Sequence, residues 1–193
     1  MNVKIIYVAL TIFFLISCSN KKEVRVELKP QFYKTLRVLD STLLTLQNRI
    51  PADADFGALW CPHCKLYHTR AAEAVYPFAY QFSVSGRDDY KNAAINLGNW
   101  LIRQQFPDGS WQETPEDWTG TTTDQLLMLL QAFDMLKEHL SADEQAAWKE
   151  SIKNAGDYLT ENMSPEFASI NYVATTSATL IILYQLIPVK KYS

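Results

Sequence analysis

Tyr90-Lys-Asn-Ala-Ala-Ile-Asn-Leu-Gly-Asn-Trp-Leu101 returns without a gap as Trp148-Lys-Glu-Ser-Ile-Lys-Asn-Ala-Gly-Asp-Tyr-Leu159. The two copies stand 58 positions apart (148 − 90). Lys91, Asn96, Gly98 and Leu101 recur in place, aromatics replace aromatics, and Asn99 is matched by Asp157. Beyond the copies, Pro107-Asp108 lines up with Pro165-Glu166. A repeat of this length in a helical pattern points to stacked α-hairpins, units that cannot bury their apolar faces alone.

Working outward, six helical stretches are expected. The first, over 31–48, carries Phe32, Leu36, Leu39, Leu43 and Leu46 at helical spacing, and 51–57 breaks it. A second runs over 67–84, with Pro77 kinking it or marking an irregularity. The third is capped by Asp88 or Asp89 and reaches about Gln105. A fourth covers 121–139, and Ser141-Ala-Asp-Glu144 has capping-box spacing for a fifth that ends near Met163. The last spans 166–186, before Pro188. No stretch alternates with period two, so strands are absent or minor and the fold class is all-α.

These stretches make about three hairpins, whereas closing an α/α toroid takes about five to seven. The expected architecture is therefore a toroid-type hairpin array forming an incomplete ring. The apolar run 180–184 near the end needs a cover. A missing C-terminal half or a homodimer would supply it, and a compact bundle is the other solution.

Residues 1–17 read as an export leader. Lys4 gives a positive start, and the apolar run 5–16 is shorter than the about 20 residues of a bilayer span. Leu15-Ile-Ser-Cys18 resembles a bacterial lipobox, which makes Cys18 the lipidation site. The expected organisation is thus a signal peptide (1–17), a lipidated tether (18–30), the helical hairpin domain (31–187) and a tail (188–193). Such a lipoprotein would be membrane-anchored, in the periplasm or on the outer-membrane surface. The formal charge is −3, and scattered basic residues argue against nucleic acid as a partner. Aromatic residues make up 12%, a supply of flat faces for core packing or for stacking on sugar rings.

Trp60-Cys61-Pro62-His63-Cys64 has the letters of a thiol-disulfide oxidoreductase site. That chemistry normally sits at the end of a strand in a parallel sheet, and a helical chain lacks that context. Cys61 and Cys64 could otherwise form a local disulfide, remain thiols, or hold a structural zinc ion with His63 or His68. No other cofactor is implied.

Three polar segments are expected to meet at one end of the hairpins. They are Tyr67-His68-Thr69-Arg70 with Glu73, Asp108-Gly-Ser-Trp111-Gln-Glu113 with Glu116-Asp117-Trp118, and Ser169-Ile-Asn171-Tyr172 with Thr175 and Thr176. Such a set suits an acidic polysaccharide or oligosaccharide. Arg70, Glu73, Trp111, Glu113 and Trp118 would bind it, the indoles by stacking and the guanidinium by forking to a uronate. Asn171, Tyr172 and His68 would be catalytic, neutralising the carboxylate and moving the proton α to it. The bland alternatives are packed indoles, an Arg70–Glu73 pair on one helix face, a capping Asn171 and a core Tyr172.

Gln105-Phe-Pro-Asp-Gly-Ser-Trp111 is similar to the loops joining helices in α/α toroid proteins, including terpene cyclases and many carbohydrate-active enzymes. The wider stretch from Trp60 to Tyr184, with Arg70-Ala-Ala-Glu73 and Ser85-Gly86-x-x-x-Tyr90, resembles the helical amino-terminal domain of heparinase II/III-like proteins and related polysaccharide lyases. The resemblance implies a toroid followed by β-sandwich domains, with the substrate groove between them and β-elimination as the reaction. It implies for Asn171 and Tyr172 the roles of uronate neutralisation and proton transfer. A non-catalytic helical interaction scaffold is the alternative from another class.

Overall fold

The computed structural model describes residues 28–112 and 118–187. The chain divides between Lys34 and Thr35. In the first unit Phe32 meets Tyr33 edge to face, their centroids 6.3 Å apart. Among the described residues there are six α-helices: α1 Leu28–Thr45, α2 Val75–Ser85, α3 Asp88–Arg103, α4 Thr122–Leu136, α5 Ala142–Asn162 and α6 Ile170–Leu186. The all-α expectation holds. Strand structure among the described residues is confined to a Gln47–Leu59 bridge and the two-residue strands β1 (Trp60–Cys61) and β2 (Leu66–Tyr67), which pair antiparallel. None of the described helices is long and apolar enough to cross a membrane. The leader, Cys18 and the tail lie outside the described residues.

Two local expectations need correction. The second helix does not run from residue 67: β2 comes first, then a 3₁₀ turn over Thr69–Ala74, then α2. Of the two readings of Pro77, the irregularity is the one present: it sits in the first turn of α2, just after the 3₁₀ turn, where a helical N–H has no intrahelical acceptor anyway. Helix α3 is preceded by Arg87 as its N-cap, with Asp88 and Asp89 in the first turn, where carboxylates complement the helix dipole. The capping box of α5 is present as expected, Ser141 and Glu144 each bonding the other's backbone.

The repeat is a repeat of packing. Helix α3 buries Tyr90, Ala93, Ala94, Leu97, Gly98, Trp100 and Leu101. Helix α5 buries Trp148, Ser151, Ile152, Ala155, Gly156, Tyr158 and Leu159, each 58 positions later. The two helices are in contact because Gly98 leaves room: a Cβ there would lie 2.1 Å from the Trp148 ring. The indole N–H of Trp148 then donates to Asn99 Oδ1 at 2.7 Å. Asn99 Nδ2 in turn donates to Glu144 Oε1 at 2.8 Å. Helices α2, α4 and α6 form a second row, with α4 between the other two.

The loops repeat as well, beginning directly after α1. Gln47 Nε2 donates to Gly57 O (3.0 Å) and Ala93 O (2.9 Å). Gln105 Nε2 donates to Gly109 O and Ser151 O, both at 2.9 Å. Gly57 and Gly109 have φ of 95° and 91°, and a Cβ on either would lie 2.2 Å from a helix carbonyl, of Asn96 and Asn154 respectively. Each glutamine thus clips its loop onto the helix of the next hairpin. Gln105→Leu should leave two carbonyls without their donor and cost about 1–3 kcal/mol. Urea unfolding measures this, and an unchanged midpoint would mean the clip carries no stability.

Candidate functional site

The starts of the three helices of the second row converge, and the 3₁₀ turn before α2, the loop before α4 and the first turns of α4 and α6 carry the polar residues described there. His68 is the N-cap of the 3₁₀ turn, its Nδ1 accepting from the Arg70 N–H at 3.2 Å. A neutral His68 ring bonded this way carries its proton on Nε2. Thr69 Oγ1 donates to Gln112 O at 2.6 Å, tying the turn to the loop before α4. Thr123 and Thr176 meet hydroxyl to hydroxyl at 2.9 Å, fastening α4 to α6.

Arg70 stands at the meeting point. Its Nε lies 3.4 Å from Glu73 Oε1, its Nη2 lies 3.6 Å from Asp124 Oδ2, and its Nη1 donates to Tyr172 Oη at 3.4 Å. Tyr172 faces Trp118 edge to face at 4.8 Å, and Phe167 lies 6.5 Å beyond the indole. Gly120 makes room for that indole, since a Cβ there would lie 2.2 Å from it. Arg70, Glu73 and Asp124 sit partly open to solvent, at 34%, 30% and 25% of side-chain surface, so their pairing is screened but directional.

Of the expected substrate-binding residues, Arg70, Glu73 and Trp118 are brought together with Tyr172. Trp111 is not among them: it is fully buried, and its indole N–H donates to Leu101 O at 2.8 Å. A ring enclosed on both faces cannot stack on a sugar, so Trp111 is a core residue of the hairpin loop. Asn171 is exposed one position before Tyr172 and accepts from Ser169 Oγ. Glu113, Glu116 and Asp117 lie outside the described residues.

Asp124 was missed. Its signal was a carboxylate in a helix's first turn, which reads as ordinary dipole complementation until the fold sets Arg70 opposite it. The Arg70–Glu73 pair is present too, as the helical spacing allowed. The guanidinium is therefore occupied by two carboxylates and a phenol. It acts here as a holder of Tyr172 more than as an open fork.

Cys61 and Cys64 lie on the β1–β2 hairpin, half-buried and outside any disulfide. The backbone N–H of Cys64 donates to Cys61 Sγ at 3.2 Å. That bond, the Cys64 side chain and the His63 N–H hold the Cys61 thiol below its ordinary pKa. Among the described residues no three His, Cys, Asp or Glu side chains gather as a metal site.

The profile of the ulvan lyase N-terminal domain family matches residues 36–193. This chain belongs to that family. Within the ulvan lyase N-terminal domain, the convergent helix starts and both glutamine clips fall inside the matched region. A broad-specificity ulvan lyase from Formosa agariphila (strain DSM 15362 / KCTC 12365 / LMG 23005 / KMM 3901 / M-2Alg 35-1) is 30% identical over 171 residues. That alignment covers 86% of this chain and 27% of the relative, so the chain spans about a quarter of the relative's length. No solved structure matches. The expected relationship to polysaccharide lyases therefore holds, with an ulvan lyase domain as the family.

Proposed function

We propose that this chain is the helical, substrate-holding part of a lyase acting on an acidic polysaccharide of the ulvan class. The observation that carries the reading is the convergence of Arg70, Asp124, Trp118 and Tyr172 on three helix starts in a chain of this family. Trp118 offers an aromatic ring against which a sugar ring packs. Asn171, exposed one position before Tyr172, hydrogen-bonds the uronate carboxylate and stabilises the charge that develops when the α-proton leaves. Tyr172 in its deprotonated form, its oxygen held by Arg70, takes that proton and becomes the neutral phenol, and the Nε2–H of His68 hydrogen-bonds the departing oxygen.

In this reading the two rows of helices are a segment of an α/α toroid of the heparinase II/III type. The apolar residues exposed on α6, Ile170, Ile181 and Tyr184, are covered by a further segment or a second copy. Export as a lipoprotein through Cys18 would place the domain at the membrane surface, where extracellular glycan arrives.

Calorimetric titration of the full chain with ulvan oligosaccharides, alongside ultraviolet absorbance of the unsaturated product, tests the proposal. Binding to ulvan and not to a neutral glucan is expected. Absence of both binding and product would end the glycan reading. A second reading, a non-catalytic helical scaffold, is favoured by the charge balance, since two carboxylates already hold Arg70. Binding without product would favour it.

A further inference from the structure

The geometry points to Cys61 and Cys64 as a reactive dithiol, with Cys61 the attacking sulfur and Cys64 the resolving one in exchange with small-molecule disulfides. The turn that joins β1 to β2 brings the two side chains together: Cys64 N–H donates to Cys61 Sγ at 3.2 Å, and Lys65 N–H closes the turn on Cys61 O at 2.8 Å. Lys65 takes φ of 57°, the left-handed conformation that lets the strand reverse directly after the second cysteine. The Cys64 thiol also hydrogen-bonds the Cys61 side chain, so the sulfurs are neighbours.

The two positions are unequal. Backbone donors converge on Cys61 Sγ, from Cys64 first and His63 in lesser measure, and they stabilise the thiolate, which is the nucleophile. Both cysteines are half-buried, so a small oxidant reaches them. The hairpin itself is held in place by the Trp60–Tyr67 edge-to-face contact at 5.3 Å and by the Trp60 N–H on Leu46 O at 3.0 Å. Closure of the short loop therefore needs movement of the turn alone. This proposal is independent of the glycan reading and uses none of its residues.

With oxidised glutathione as the disulfide, the Cys61 thiolate attacks one sulfur, forming a protein–glutathione mixed disulfide and expelling one glutathione thiolate. The Cys64 thiolate then attacks Cys61 Sγ, forming the Cys61–Cys64 bond and expelling the second. The protein loses two electrons and its two thiol protons, and the oxidant leaves as two glutathione thiols.

Peptide-level mass spectrometry of the full chain equilibrated in glutathione buffers, with iodoacetamide trapping, reads Cys61 and Cys64 separately from Cys18, the third cysteine. Native protein should lose the Cys61 and Cys64 thiols together without retaining glutathione on either. Cys64→Ser should trap the mixed disulfide on Cys61, because the backbone donor at position 64 survives the change. In that variant Cys61 should alkylate about ten-fold faster than Cys64 does in Cys61→Ser. Equal rates in the two variants would overturn the assignment, as would a native chain that keeps two glutathiones or none with its thiols intact. Stoichiometric zinc uptake that shields both thiols from alkylation would also overturn it. The circular dichroism spectrum of each variant checks that the fold persists.

Discussion

Trp148→Ala is expected to lower the stability of this domain by about 3–5 kcal/mol, the range for deleting a fully enclosed aromatic. Trp148 has no exposed surface, lies on the bare backbone of Gly98, and stacks obliquely on Phe133 at 6.4 Å. The helices around it cannot close the gap, because Gly98 contributes no side chain to fill it. The substitution also leaves Asn99 Oδ1 without the indole N–H that it accepts at 2.7 Å. Against a typical total of about 5–15 kcal/mol, such a loss removes a large share of the folded population's margin. Equilibrium urea unfolding gives the value, and a loss below about 1.5 kcal/mol would show that the contact between α3 and α5 is not where the array draws its stability. Trp148→Phe separates the two contributions: it keeps most of the ring and removes the N–H, and should cost about 1–3 kcal/mol.

If the proposed lyase reading holds, Tyr172→Phe should reduce release of unsaturated product from ulvan by about 10²–10⁴-fold, the range that a positioned general base contributes. The change removes one oxygen and keeps the ring, so the edge-to-face contact with Trp118 persists and stability should shift by no more than about 1 kcal/mol. Arg70 keeps Glu73 and Asp124 and stays in place. Full turnover in the variant would reduce Tyr172 to a structural partner of Arg70 and favour the scaffold reading. Equal loss of binding and turnover would assign the hydroxyl to substrate holding instead of proton transfer.

Much of the architecture could be read in advance, since the information is local. Apolar spacing in α3 through α6 and the Ser141–Glu144 box depend on residues within a few turns of each other, and the 58-residue register is written directly in the two copies. Pro77 left a kink and an irregularity both open because proline's effect depends on its distance from the helix start, and that start was set when β2 and the 3₁₀ turn took residues 66–74. Gln47 went unnoticed for a related reason. Gln47 and Gln105 keep the 58-residue spacing (105 − 47), but the glycines they hold stand 52 apart (109 − 57), so the loops they clip do not align without a gap.

The candidate site was half legible. That polar loops would meet at one end followed from alternating helix direction in stacked hairpins. Trp118, Arg70, Glu73 and Tyr172 were named on that ground, and they do meet. Trp111 looked like Trp118 in composition, yet Trp111 is fully buried and Trp118 is partly exposed against Tyr172. Burial of an aromatic in a loop depends on which helix passes over it.

The Tyr90–Leu101 and Trp148–Leu159 copies thus carry, on their own, the helical class, the hairpin register and the buried face, because periodicity along a chain sets which side chains share a face. Only folding decided the rest. It set Asp124 across from Arg70, put Trp148 on Gly98, and brought the Cys64 N–H to Cys61 Sγ. Those meetings, apart from the local cysteine turn, join residues 50 or more positions apart (124 − 70 = 54; 148 − 98 = 50). Contacts at that range follow from how rows of helices pack in space, and no pattern in a short window of sequence encodes them.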